Sequence, residues 1–490
     1  MTRSAKSPAR KVIVVGAGPV GLMLAGELRR GGADVVVYER LTEPARESRG
    51  ASLTRRAVEC FDQRGLLPRL GHHEPADSHF GGIPLDLGQL GQDHAGARGI
   101  PQYRTEEVLA GWALELGADI RRGYEVTGFE QSADSVEIEL DGPDGAVHDE
   151  AAYLVGCDGG RSTIRTLAGV EFVGSAPTRG FYTADVTGVR IRRRRIGQDL
   201  PGGSMVMAMD LENGVTRVVV HEHGMGPRDR ESLTFRDLAD AWQRLTGESI
   251  HDAQCRWLNC FTDASRVAER YRSGRVFLAG DAAHVQPPAM AQGLSVGVQD
   301  AVNLGWKLAA AVDGWAPVSL LETYEAERLP LGRQLARNAR AAIEIRLTGE
   351  EMDPVRGVIG ELVARPHAAR QLAAMLSGLA IRYEVGSGDN PLLGRRLDPD
   401  WPLIGHDGAR TRAADLLCAG RGVLVTEQPV HAERARGWKD RATIVVGSWA
   451  ADDADLTSVL IRPDGYVVWT SPGSEHDLLT ALQEWFGHPH

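Results

Sequence analysis

The chain has 490 residues, 42% of them hydrophobic and 25% charged, with a formal net charge of -11 at pH 7. That length accommodates two or three domains with cores of their own, and the negative balance argues against nucleic acid or another polyanion as partner. No apolar run reaches the roughly 20 residues that cross a bilayer, and Met1 to Lys11 is polar and basic without an apolar core, so a cytoplasmic protein outside the membrane is expected.

The first element is a buried strand, Val12 to Val15, that runs into Gly16, Gly18 and Gly21, then a helix from Pro19 to Arg30 and a second strand, Val35 to Tyr38, ending at Glu39. Gly16 permits the tight turn, Gly18 lets the backbone approach a pyrophosphate, and Gly21 lets the helix pack on the strands. The helix start then faces the phosphates with unpaired N–H groups. Glu39 can accept hydrogen bonds from ribose hydroxyls. The unit binds a dinucleotide, and by itself leaves NAD and FAD open.

Beyond Arg40, a polar stretch (Thr42 to Arg49) leads through Gly50 into a helix with Val58 and Phe61 on one face. Arg49 reads either as a surface arginine or as a contact to the cofactor's phosphates or flavin edge. Gly71 to Gly99 is glycine-rich and irregular, Gln102 to Leu116 is a helix, and Arg121 to Leu140 alternates as strands. Tyr153 to Arg165 is a short strand, an Asp158-Gly159 turn and a helix start carrying Ser162.

Between Phe181 and His223 the pattern changes to alternating strands, with a hairpin around Glu212 to Gly214. Met205, Met207 and Met209 fall at period two and share a face, either as the soft wall of a cavity for a flat guest or as packing against a helix such as Leu238 to Leu245. The arginine run Arg190 to Arg195 reads as a solvated loop. From Arg275 an apolar strand delivers Gly280 and Asp281, where a carboxylate can accept a ribityl hydroxyl. Pro287 and Pro288 stiffen the next loop, and a helix opens near Gly293 whose start can stabilise charge on a reduced flavin. His284 reads as a loop-positioning side chain. Cys60, Cys157, Cys255, Cys260 and Cys418 are scattered, without metal or redox spacing, so reduced, mostly buried thiols and no metal site are expected.

Taken together, the glycine triplet, the Asp-Gly turn and the Gly-Asp strand end resemble the group A flavoprotein aromatic hydroxylases of the p-hydroxybenzoate hydroxylase type. The phrases Glu47 to Gly50, Leu154 to Ser162, Leu200 to Gly203 and Pro391 to Arg396 are most similar to the angucycline and anthracycline hydroxylases. The resemblance implies an α/β chain. A Rossmann-like FAD-binding domain (1–174 and 275–390) would be interrupted by a β-sheet substrate domain (175–274) and followed by a thioredoxin-like C-terminal domain (391–490). A hairpin over Val459 to Trp469 belongs to the last part, where Cys418 stands alone in a structural or dimer-contact role.

The same resemblance implies residue roles. Gly16, Gly18, Val20, Gly21 and Glu39 would hold the ADP half of FAD, with Arg40 and the backbone at Val126 near the adenine. Arg49, Gln102, Asp158 and Asp281 would hold the phosphates and ribityl chain, and Pro288, Gly293, Leu294 and Ser295 the flavin ring. Met205, Met207, Pro287 and Met290 would meet the substrate. The family usually has Gly-Gly or Gly-Ala where this chain has Met290 and Ala291, and often Asn in place of Ser295. Met290 is therefore expected to reshape the pocket beside the ring or to alter the oxygen chemistry.

The implied reaction uses NADPH or NADH to reduce FAD, adds molecular oxygen at flavin C4a, and passes an electrophilic oxygen from the hydroperoxide to a polycyclic aromatic substrate. No second glycine triplet of comparable context marks a separate nicotinamide domain, and the Trp-x-Trp-x-Ile-Pro stretch of flavin halogenases is absent. Baeyer-Villiger insertion or epoxidation on the same fold and a non-oxygenating FAD-binding partner are the rival readings. A homodimer is compatible with all of them.

Overall fold

The computed structural model describes residues 10–45, 50, 52–71, 75–90, 97–386, 388–406, 408–449, 456–472 and 475–490. Its organising layer is a six-stranded sheet in the order Arg272–Ser273, Val276–Leu278, Tyr153–Gly156, Lys11–Val15, Asp34–Glu39, Asp119–Arg122. All neighbours are parallel except the Arg272–Ser273 edge. A strand covered on both faces must be apolar on both, which is why Val12 to Val15 reads as a continuous hydrophobic run and is almost wholly buried.

Helix Pro19–Arg30 follows the first strand as expected. It packs between helices Gln102–Glu115 and Gly293–Asp313, closely enough that Gly26 lies directly against the Trp112 ring. The expected Val58 and Phe61 face of helix Arg55–Asp62 is fully buried in the same core. A three-stranded meander, Glu125–Gln131, Val136–Gly142 and Gly145–Ala151, lies beside this layer.

The second layer is a five-stranded antiparallel sheet in the order Arg194–Leu200, Ser204–Asp210, Thr216–His221, Gly180–Thr187, Gln254–Thr262. The hairpin turn falls at Glu212–Gly214 as expected. One face is covered by helix Phe235–Thr246, capped by Thr234 and Asp237, whose Leu238, Ala241 and Trp242 bury Val206, Ala208, Val218 and Val220. The opposite face is left for a cavity. Helix Glu322–Leu347 spans from the first layer to this sheet and brings Ile343 and Leu347 against Phe181, Met205 and Val219.

Arg190, Arg192 and Arg193 are exposed and precede the strand, as a solvated loop requires, and the departure is Arg194, which begins an edge strand. Arg194 is drawn inward by Glu248 at 2.9 Å and lies over the Trp242 ring, while Arg193 pairs with Asp210 and Arg195 with Asp77. Acids from distant segments thus engage the last three arginines, of which only Arg194 is covered.

Toward the C-terminus a mixed six-stranded sheet has the order Arg410–Arg412, Pro402–Gly405, Ala442–Trp449, Gly422–Thr426, Ser458–Ile461, Val467–Thr470. Helix Glu475–Phe486 packs on it, and the hairpin expected around Pro463-Asp464-Gly465 is present. Trp306, Ala310 and Leu320 share one apolar cluster with Trp438, Tyr466, Trp485 and Phe486, so this layer rests on the far side of helix Gly293–Asp313.

Below that cluster lies a buried ionic network. Glu327 accepts hydrogen bonds from Arg462 (Nη2, 3.0 Å), Lys307 (2.9 Å) and Asn303 (2.6 Å), and Arg462 also reaches Asp464. Among the thiols only Cys60 is buried. Cys157 and Cys260 are half-buried and Cys255 and Cys418 exposed, which corrects the expectation that most would be covered. Among the described residues, no helix is long and apolar enough to cross a membrane and no group of side chains could hold a metal ion.

Candidate active site

The C-terminal ends of the parallel strands open into a single cavity of about 1190 Å³. At one end the first strand stops at Gly16, whose N–H donates to the Tyr38 carbonyl at 2.7 Å with φ +103°. A Cβ at Gly16 would lie 2.5 Å from the Cys157 carbonyl oxygen, and one at Gly21 would lie 2.0 Å from that of Gly16, so both glycines are needed by the turn itself. Gly18 is different: a Cβ there would have no protein atom within 4 Å, and the position faces the cavity.

Gly18 is also the N-cap of helix Pro19–Arg30 and offers no side chain, which leaves the first helical N–H groups to a ligand. Glu39 is held by two backbone donors, Ala17 N–H at 2.8 Å and Leu41 N–H at 2.9 Å, and its carboxylate oxygens retain acceptor capacity toward the cavity. Val20, Arg40 and Val126 line the same end. A bare helix start, an unfilled glycine cradle and a fixed carboxylate fit the ADP half of a dinucleotide.

Midway along, Gln102 opens helix Gln102–Glu115, and its Oε1 accepts the Gly50 N–H at 3.0 Å, which clips the Gly50 loop to the helix. Arg49 lies outside the described residues. Asp158 lines the cavity while accepting the Ser162 hydroxyl at 2.6 Å and the Ile164 N–H at 3.1 Å. Burial raises its pKa against those bonds. Asp281 lines the cavity as well.

The loop that carries Asp281 is fixed from behind. Asp300 accepts the Gly280 N–H at 3.1 Å, His284 Nε2 at 2.7 Å and Arg328 Nε at 2.7 Å, all buried. Burial opposes charge on Asp300, but Arg328 and His284 outweigh it and lower the pKa. His284 thus positions the loop, as its sequence context suggests, and does not reach the cavity.

The loop continues through Pro287, Pro288, Met290 and Ala291, all on the cavity wall, to Gly293 and Leu294 at the start of helix Gly293–Asp313. The left-handed residue here is Ala291 at φ +52°, not Met290. The backbone angle that favours glycine in this loop is therefore carried by Ala291, while Met290 is part of the cavity wall. Ser295 contributes no side chain to the cavity: it is fully buried, and its hydroxyl accepts the Thr54 N–H at 2.9 Å.

The far half of the cavity is walled by the five-stranded sheet. Met205, Met207 and Met209 all line it, while Val206 and Ala208 supply the packing on the helix side, so the methionine row forms the wall and the intervening residues the core. Sequence reading missed Phe181, Phe261, Val219 and Arg217 on the same face, although the period-two rule applied to their strands marks each of them. It also missed His79 and Arg346. Burial, aided by Arg346, lowers the His79 pKa to about 4, so this imidazole is neutral at physiological pH.

A glycine-turn nucleotide cleft that runs into a cavity walled by a separate sheet defines an α/β enzyme in which one cofactor and one large substrate meet. The family described as FAD binding domain matches residues 9–339, and the one described as aromatic-ring hydroxylase, C-terminal, matches residues 390–489. The chain belongs to this family and is an FAD-dependent aromatic monooxygenase.

The 12-dehydrotetracycline 5-monooxygenase/anhydrotetracycline 6-monooxygenase of Streptomyces rimosus subsp. rimosus is 42% identical, over 98% of this chain and 99% of that protein. The crystal structure of CabE, an aromatic hydroxylase from angucycline biosynthesis, is similar with a TM-score of 0.93 and 47% identity, over 98% of this chain and all of that one. The dialkyldecalin synthase of Streptomyces rugosporus is 37% identical, over 97% of this chain and 98% of that protein.

Proposed function

We propose that the protein hydroxylates a polycyclic aromatic polyketide, with NADPH or NADH as reductant. The observation that carries this reading is one continuous cavity, from Gly18 and Glu39 past the Pro287 to Leu294 loop to Met205 and Met207. Its volume of about 1190 Å³ exceeds the roughly 300–1,000 Å³ of an ordinary ligand pocket and suits a dinucleotide and a second flat molecule together. Bound FAD would supply the redox chemistry, taking electrons from the nicotinamide and activating oxygen.

The chain's part is to bind, orient and exclude water. Gly18 and the bare helix start would hold the pyrophosphate, Glu39 the ribose, Gln102 and Asp281 the ribityl chain, and Gly293 with Leu294 the flavin ring, whose negative form a helix start favours. Phe181, Met205, Met207 and Leu347 would exclude water from the reacting centre. We assign residues 1–174 and 275–390 to cofactor binding, 175–274 to the substrate wall and 391–490 to a thioredoxin-like support.

A second reading, a cyclase that joins rings by cycloaddition without net oxidation, is supported by the 34% identity and TM-score of 0.84 to the Diels-Alderase PyrE3 of pyrroindomycin biosynthesis. Incubating FAD-loaded protein with NADPH, ¹⁸O₂ and a tetracyclic phenol separates the two. Phenol-stimulated NADPH use with one ¹⁸O atom in the product is expected. Product without ¹⁸O favours the cyclase, and no NADPH use with any polycyclic phenol refutes the hydroxylase.

A further inference from the structure

The cavity face of the five-stranded sheet is graded along its strands. Register places Met205, His221, Phe181 and Phe261 in one cross-strand row, Met207, Val219, Thr183 and Asn259 in the next, and Met209, Arg217, Asp185 and Trp257 in a third. In the first row the His221 imidazole is engaged by the Gly180 carbonyl at 2.8 Å, and the side chains that line the cavity are apolar and aromatic, with Phe181 stacked on Phe261 at 4.7 Å and packed with Ala289 of the loop beside Gly293. The third row is ionic. Four residues of strand separate the two, roughly 13 Å at about 3.3 Å per residue, which is the length scale of a linear tetracycle.

In the third row Arg217 is only 4% exposed yet lines the cavity. Its Nε and Nη2 donate to the two oxygens of Asp185 at 2.7 and 2.8 Å, and its guanidinium lies 4.9 Å from the centroid of the Trp257 ring. Nη1, with two N–H donors, has no partner among the described residues. A buried ion pair made only for packing gains little over apolar side chains of similar volume. This one holds a rigid fork whose remaining donors face the space a ligand would fill, and such a fork suits an sp² oxygen.

We infer that Arg217, oriented by Asp185 and Trp257, is a specificity-determining residue. It donates a hydrogen bond to a carbonyl or phenolate oxygen at one end of the polycyclic substrate and thereby directs the other, less oxygenated end to the Phe181 and Met205 row beside the Pro287 to Ala291 loop. The inference rests on the hydroxylase reading and adds to it the substrate's orientation. A site that is built to hydrogen-bond an oxygen discriminates strongly against an analogue that lacks it, because its own donors are then left unpaired.

The test uses FAD-loaded protein and two probes, a tetracyclic hydroxyquinone and a tetracyclic monophenol lacking the quinone carbonyls. Binding is read from the perturbation of flavin absorbance. Arg217→Met leaves the Asp185 carboxylate buried and alone, so the double variant Arg217→Met with Asp185→Leu is made as well, with FAD content as the control for folding. The expected result is a 10- to 100-fold weaker Kd for the hydroxyquinone, a change below threefold for the monophenol, and loss of a single oxidation position in the hydroxyquinone product. An equal loss for both probes, or no loss for either, overturns the assignment. Wild-type holoenzyme that binds neither probe overturns the hydroxylase reading and this inference with it.

Discussion

Replacing Gly18 by alanine separates cofactor binding from folding. Gly18 sits at φ -80° and ψ -178°, which any L-residue adopts, and a Cβ built there meets no protein atom within 4 Å. The protein without FAD should therefore keep its stability, or gain about 0.4–1 kcal/mol from the smaller freedom of the unfolded chain. With FAD the outcome reverses, because the pyrophosphate must come to roughly 2.9 Å from backbone nitrogen where the new methyl stands. A displacement of about 1 Å forfeits one or two charge-assisted hydrogen bonds at about 1.5–3 kcal/mol each. A loss near 3 kcal/mol is about two decades in Kd. Fluorescence titration of the apoprotein with FAD, alongside the apoprotein's melting temperature, reads both sides. FAD affinity within threefold of wild type, or an apoprotein melting temperature that falls with affinity, refutes the assignment. Gly16→Ala and Gly21→Ala should instead lower apoprotein stability outright, since their Cβ atoms would lie 2.5 and 2.0 Å from carbonyl oxygens.

Three further outcomes are expected. Met290→Gly should enlarge the cavity beside the Gly293 helix start and raise the share of NADPH that ends as hydrogen peroxide, measured as peroxide per NADPH across a panel of tetracyclic phenols. An unchanged ratio counts against its place at the reacting centre. Ala291→Gly should relieve about 1 kcal/mol of left-handed strain at φ +52°, read as a small rise in melting temperature, and a fall shows that the loop depends on alanine's rigidity. Glu327→Gln should cost about 3–5 kcal/mol by leaving Lys307 and Arg462 short of an anion. At about 2.1 cal/mol/K per residue over 490 residues, this lowers a single transition by about 3–5 °C. Burial opposes charge on Glu327, but Arg462 and Lys307 draw its pKa down to about 2 from 4.5, so its contribution is whole above pH 4.5 and is lost as the pH falls toward 2. Burial lowers Lys307 to about 8 from 10.5, so the variant's deficit should shrink between pH 7 and pH 10 as the lysine loses its proton. A deficit independent of pH in that range refutes the pairing.

The elements legible in the sequence are those whose cause is local. Helix Pro19–Arg30 and its flanking strands follow from apolar runs and three glycines with distinct steric duties, and the methionine row follows from period two. Elements whose cause is distant were misread or missed. Arg194 looks like part of a solvated run because Glu248, which draws it inward, is remote along the chain. Ala291 carries no left-handed preference of its own, so the turn that forces it is visible only once Gln292 is tied to the Leu376 carbonyl.

The same argument explains why half of the candidate site was invisible. Lys307, Glu327, Arg462 and Asp464 are types that read as surface, yet they lie buried together where the C-terminal sheet meets the back of helix Gly293–Asp313. The start of that helix, Gly293 and Leu294, lines the cavity where the flavin would rest, and Lys307 anchors the same helix about four turns further along. Arg217 is the counterpart on the sheet side. Composition makes it one more cation in a chain that has 55 lysines and arginines, and only the cross-strand register with Asp185 and Trp257 gives it a direction. Specificity in such a cavity is written in pairings between strands, which a linear reading reaches only by placing the strands side by side.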